Sequence, residues 1–249
     1  MLTRNGLDVM SKYTLNTHDH KTALATWSQN KSQTKAAPNL INKLGKPDIT
    51  QQKAKIKAVS LDDDERPQVE TFIKDIFRKH HGAELNHFAP SLLAIFNPQN
   101  EVEAALGYRL AGNEPLFLEH YLDQSIESLV SNYRGQTIER QSIGETGNLA
   151  SSNASSCKIL FAYTADYLHQ QGVEWFVSTG TAVMRVVYRR LGIKAHIIHD
   201  VTKSSLSEKQ QHKWGSFYED KPKIILINVA QAKQRFRELA AQQDAPKPH

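Results

Sequence analysis

The sequence holds one cysteine, Cys157, in 249 residues. No intrachain disulfide is available to brace the fold, and a reducing compartment is the natural setting. Long apolar runs are also missing: none approaches the ~20 residues that a membrane-spanning helix needs. The opening segment, MLTRNGLDVMSKYTLNTHDHK, lacks the ~7–15-residue apolar centre of a secretory signal. These absences predict a cytoplasmic protein with no transmembrane segment. Neither a Gly-x-x-x-x-Gly-Lys-Ser/Thr loop nor a triplet of spaced glycines occurs, so sites of the P-loop or dinucleotide type are excluded.

Charge of one sign is scarce where it would matter. The net charge is +5, but residues 1–55 hold nine of the 31 basic and three of the 26 acidic residues. That leaves 22 basic against 23 acidic residues in 56–249. Such a near-neutral domain gives no reason to expect a nucleic-acid partner. The basic segment is rich in Asn, Gln, Lys, Thr and Ala. It reads as a flexible tail with a short helix around Leu24 and Trp27. A basic tail can touch acidic partners or anionic lipid, so peripheral membrane contact stays open. His18, Asp19 and His20 have no further ligands at a helical spacing, and no metal site is expected.

From residue 56 the signals sharpen. IKAVS reads as a short strand. DDDERPQVETFIKDIFRKHHG reads as a helix, with Pro67 near its first turn and Gly82 after its end. Val69, Phe72, Ile73, Ile76 and Phe77 give it one apolar face. SLLAIFN and EVEAALGYRLA are strands joined as a hairpin by PQN. A helix is expected over about 123–133, a strand over 137–146 and a helix from about Asn153 to Gln171. Strand EWFVST, helix AVMRVVYRRLG closed by Gly192, strand KAHIIHDV, a last strand in PKIILINV and a polar helix complete the chain. This order predicts an α+β (α/β) mixed sheet with helices on both faces. The domain spans 56–232, and residues 233–249 form a C-terminal helix and tail.

Between the 137–146 strand and its helix stands GNLASSNASS, made almost entirely of small residues. A helix start offers unpaired N–H groups and the positive end of a dipole, and small side chains let a ligand approach the backbone. Asn148, Leu149, Ala150, Ser151, Ser152, Asn153, Ala154 and Ser155 are therefore expected to cradle an anion such as a phosphate. The same residues also suit an ordinary Ser/Asn-capped helix. Glu145 is placed at the strand end between Gly144 and Gly147. Glycines inside a strand predict a bulge, whose free N–H groups can hold a carbonyl oxygen. A carboxylate beside them can serve as base for an incoming amine, or be a plain strand glutamate. Arg109 lies mid-strand in an apolar run and needs a carboxylate, Glu145 or Glu119. Trp214 and Tyr218 precede the last strand as core aromatics, or as a substrate contact and a proton donor to a thiolate leaving group. Cys157 reads as a buried small hydrophobe.

Two segments, GYRLAGNEPLFLEHYLDQSIE and IGETGNLASSNASSCKILFAYTADYLHQQGVEWFVSTGTAVMRVVYRRLGI, together with WGSFYEDKP, resemble the thermostable haemolysin family of bacterial proteins. The resemblance covers about residues 65–230. It implies the GNAT-like acyltransferase fold and a distant similarity to acyl-homoserine-lactone synthases. Gly107 to Leu110 is similar to a synthase strand whose arginine falls at Arg109. Residues 145–149 are similar to the synthases' Glu-x-Ser-Arg-Phe strand end, with Glu145 at the acidic position. Asn148 replaces their second arginine, so the homoserine-lactone product does not carry over. The usual GNAT pyrophosphate loop is not matched either, which leaves both coenzyme A and acyl carrier protein open as the acyl carrier. The resemblance thus implies an N-acyltransferase with no tightly bound cofactor. Acyl-CoA or acyl-ACP would be its co-substrate and a small-molecule amine its acceptor. The family name offers an alternative, a membrane-active, toxin-like haemolysin without enzymatic activity. The lack of an amphipathic hairpin repeat or a spanning helix speaks against it.

Overall fold

A computed structural model describes residues 54–206, 211 and 213–244. Apart from Ala54 and Lys55, which already join the sheet, the expected tail falls outside the described residues. So do the helix near Leu24 and the His18–His20 cluster. Seven strands form one sheet: β1 (Lys55–Val59), β2 (Ser91–Phe96), β3 (Val102–Leu110), β4 (Ile143–Ser151), β5 (Trp175–Gly180), β6 (Ala195–Asp200) and β7 (Lys223–Asn228). Their order is β1-β2-β3-β4-β5-β7-β6. Neighbours run antiparallel except β4 and β5, which run parallel. The helices are α1 (Arg66–His81), α2 (Ile126–Arg134), α3 (Ala154–Gln170), α4 (Ala182–Leu191) and α5 (Val229–Asp244). The mixed α+β sheet with helices on both faces is as the sequence predicts.

The helix boundaries follow from local chemistry. Pro67 occupies the first turn of α1, and Gly82 ends it in the left-handed region at φ 61°. Ser125 caps α2 by accepting from the Ser128 N–H, so this helix starts three residues later than expected. Asn153 caps α3 by accepting from the Ser156 N–H at 2.8 Å. Gly192 ends α4 at φ 71°. There the α5 residue Arg235 donates from Nε to the Leu191 carbonyl at 2.8 Å. A Cβ on Gly192 would lie 2.6 Å from that guanidinium, so glycine serves both the turn and the contact.

Apolar faces then set the layers. Helices α3, α4 and α5 cover one face, with Leu160, Leu168, Tyr188 and Phe236 packed on Leu93, Leu106, Ile225 and Ile227. On the other face, α1 places Val69, Ile73 and Phe77 over Leu92, Ala94, Phe96 and Ala150. Helix α2 and a 3-10 turn at Phe117–Tyr121 cover Ile143, Trp175, Val177 and Leu226. Each large apolar side chain buried this way stabilises the fold by roughly 1.5–3 kcal/mol. Among the described residues, no helix is long and apolar enough to cross a membrane.

The middle of the sheet departs from regularity. β4 pairs with β5 from Ile143↔Trp175 to Thr146↔Ser178. Past that point β4 stays with β3 (Ala150↔Ala105, Ser151↔Ala104), while β5 stays with β7. The register slips by one residue between Gly147 and Ala150, the predicted bulge. Asn148 takes up the slip at φ 51°. Its Oδ1 accepts from the Ala89 N–H at 3.1 Å. Two expectations need correction here. The strand does not end near 146, because Gly147, Ala150 and Ser151 also pair with β3; Glu145 is the third residue of nine in β4, not its last.

Candidate active site

The separation of β4 from β5 opens a cavity of about 480 Å³ that reaches both faces of the sheet. Leu106, Phe161 and Tyr188 line it on the α3 side; Phe77, Phe117 and Trp214 line it on the α1 side. Glu145 stands at its wall, 7% exposed. The carboxylate accepts from the Phe117 N–H at 2.7 Å (Oε2) and the Leu118 N–H at 3.0 Å (Oε1). Arg109 is directly opposite in the β3–β4 register, with Nε 3.8 Å from Oε2. Burial outweighs these contacts and raises the Glu145 carboxyl to about 7. A carboxylate with that value, on a cavity wall, is suited to take and release a proton at neutral pH.

Arg109 divides its attention. Its Nη1 donates to Glu114 Oε2 at 2.8 Å, closer than the Glu145 contact. The other expected partner, Glu119, goes elsewhere: Arg140 holds it at 2.7 Å and lowers it to about 2. Glu119 in turn accepts from the Leu116 and Ile126 N–H groups. It thereby fixes the turn that aims the Phe117 and Leu118 amides at Glu145.

Trp214 lines the cavity against Phe77, Phe117 and Phe217. Tyr218 does not line it. Its hydroxyl lies 2.6 Å from that of Tyr121, which does. Burial pushes Tyr218 up to about 12 and Tyr121 further still. The cavity is thus reached by Tyr121, a residue that sequence reasoning missed, with Tyr218 hydrogen-bonded behind it. Cys157 also lines the cavity and is half-buried rather than fully buried as expected; burial pushes its thiol up to about 12, so it stays protonated at neutral pH.

The eight cradle residues split. Asn148, Leu149, Ala150, Ser151, Asn153 and Ala154 line the cavity, while Ser152 and Ser155 are not part of its lining. Ser152 spends both its N–H and its hydroxyl on the Glu103 carbonyl. Ala150 is buried in the α1 core, 1% exposed. The N–H groups of Ala154 and Ser155 precede the first intrahelical bond, from Cys157 to Asn153. Among the described residues no group of three or more His, Cys, Asp and Glu is placed to hold a metal.

A family model described as Thermostable hemolysin matches residues 59–233. The chain belongs to the thermostable haemolysin family. No curated protein matches this haemolysin-family chain. Solved structures do. One is BjaI, a CoA-dependent acyl-homoserine lactone synthase with SAM and isopentyl-CoA. It has 13% identity and a TM-score of 0.52, covering 78% of this chain and 91% of that one. TofI in an apo form has 14% identity and a TM-score of 0.51, covering 74% and 98%. FeeM, an N-acyl amino acid synthase from uncultured soil microbes, has 12% identity and a TM-score of 0.51, covering 74% and 96%. At these identities the likeness is one of fold, and the fold of this haemolysin-family chain is GNAT-like, distantly similar to the lactone synthases. The segment PLFLEHYL, which supplies Phe117, Leu118 and Tyr121, held the missed signal. Nothing in its spacing points to backbone donors for a carboxylate 27 and 28 residues away.

Proposed function

We propose that this protein is an acyltransferase that moves an acyl group from a thioester carrier, acyl-CoA or acyl carrier protein, to a small-molecule amine. The observation that carries the reading is the cavity at the parting of β4 and β5, with Glu145 on its wall. The thioester sits in the gap, with the carrier phosphate toward the N-terminus of α3. The amine nitrogen attacks the thioester carbonyl, and Glu145 takes its proton directly or through a water. The N–C bond forms, the C–S bond breaks, and the thiolate leaves with a proton from the Tyr121–Tyr218 pair or from water. Trp214 and Arg109 bound the substrate. Thioester carriers therefore act as co-substrates and no cofactor is held tightly. Purified protein, given acyl-CoA or acyl-ACP with a panel of amines, should release free thiol and form an N-acyl product by mass spectrometry. No thioester consumption above buffer with either carrier would reject the reading.

A further inference from the structure

The apolar lining differs between the two halves of the cavity. Half-buried on the α3 side are Leu149, Cys157, Met184, Val187 and Leu191, none of them aromatic. The rings that line that side, Phe161 and Tyr188, are buried and packed on each other. Half-buried on the α1 side are Ile76, Phe88, Phe117 and Trp214, three of the four aromatic. Trp214 packs against both core clusters of that face, and its ring centroid lies 6.1 Å from that of Phe117 at a tilt of 48°. The two rings do not stack on each other, which leaves ring surface for a third aromatic group. Glu145 belongs to this aromatic half. The N–H that donates to its Oε2 is that of Phe117, so the ring wall begins one side chain from the carboxylate. Arg109, opposite Glu145 in the register, already faces two carboxylates, Glu114 at 2.8 Å and Glu145 at 3.8 Å. A third carboxylate beside this guanidinium would meet more negative than positive charge.

We propose that the acceptor is an arylalkylamine without a carboxylate, its amino group at Glu145 and its ring against Phe117 and Trp214. The proposal rests on the acyl-transfer reading and adds the chemical class of the acceptor. A short carbon linker covers the step from the carboxylate to the ring wall. Contact between rings favours an aryl group over an alkyl group of equal size, beyond the area that both bury. The charge balance at Arg109 selects against α-amino acids, whose carboxylate would lie beside the reacting nitrogen.

The test measures thiol release and N-acyl product from decanoyl-CoA and from decanoyl carrier protein. The acceptors are phenethylamine, cyclohexylethylamine, hexylamine, phenylalanine and homoserine lactone. With the carrier that wild type uses, kcat/KM for phenethylamine should exceed that for cyclohexylethylamine by roughly two- to tenfold, the worth of an aromatic pair. It should exceed that for phenylalanine by more. Phe117→Leu and Trp214→Leu keep an apolar wall without the ring and should bring the phenethyl-to-cyclohexyl ratio toward one. A loss of folded protein lowers both rates together and leaves that ratio where it was. Where a variant does not fold, the wild-type ratios decide alone. A wild-type ratio near one, a ratio unchanged in both folded variants, or phenylalanine or homoserine lactone used as well as phenethylamine overturns the proposal and leaves the acyl-transfer reading standing. No thioester consumption with any amine rejects the acyl-transfer reading and the proposal with it.

Discussion

Glu145→Gln separates the two roles this carboxylate can have. The folded protein holds the Glu145 carboxyl at about 7 against an ordinary 4.5, chiefly through burial. Between those values the folded state keeps a proton that the unfolded state has released, so stability falls as pH rises through the window. The gap between the two values is worth roughly 3 kcal/mol by pH 8. In a domain of this size that corresponds to about 6–12 °C in melting temperature. Glutamine cannot ionise, so the variant should lose this slope between pH 5 and 8. Its amide offers one acceptor oxygen where the carboxylate takes two N–H groups. An unmet Phe117 or Leu118 N–H costs about 1–3 kcal/mol. The two changes offset at pH 8, and the variant should melt within a few degrees of wild type there. Turnover should nonetheless drop by ~10²–10⁴, and wild-type turnover should climb through pH 7 as the carboxylate forms. Thermal melts across pH, paired with thiol-release rates, read both effects. If Glu145 only ties β4 to Arg109, stability falls at pH 8 and activity falls in proportion to unfolded protein. Full turnover in a folded variant would remove Glu145 from the chemistry, and a pH slope parallel to wild type would refute the burial account.

Three further outcomes follow from the same geometry. Asn148→Ala places a Cβ-bearing residue without polar side-chain help at φ 51° and leaves the Ala89 N–H without its acceptor. Urea unfolding should show a loss of roughly 2–4 kcal/mol, with Asn148→Gly losing less. Ala154→Leu enlarges an exposed residue at the cavity lip and should weaken carrier binding by about tenfold without lowering the melting point; Ala150→Leu overpacks the α1 core and should cost ~1–3 kcal/mol. Unchanged carrier affinity in Ala154→Leu counts against an anion site there. Deletion of residues 1–50, which have low apolar content, should leave the melting temperature within a few degrees of the full chain.

The elements with strong local chemistry were legible in the sequence. Pro67, the apolar stripe from Val69 to Phe77 and Gly82 mark α1 at both ends, and Asn100, at φ 63°, turns the β2–β3 hairpin. The extent of β4 was not legible, because Gly, Asn and Ser read as breakers. Their place in the sheet comes from pairing with β3, and Ala150 is small because α1 packs on it. Glu145 was singled out by type and by its glycine neighbours, but its environment was not legible. The donors that hold it belong to a turn far along the chain, which Glu119 and Arg140 build. Arg109 was correctly read as needing a carboxylate. Its nearer partner, Glu114, sits only five residues on, beyond the strand end, where strand periodicity gives no guide.

The contact of Arg235 with Leu191 and Gly192 makes the last helix of the chain a brace for the pocket. Val183, Met184, Val187 and Leu191 of α4 form part of the cavity wall, and α5 clamps the end of that helix. A tag fused to the C-terminus, or a nonsense mutation that trims α5, would register in the size of the pocket rather than only at the surface. Changes in α5 can thus reshape the cavity while every group around Glu145 stays as it is.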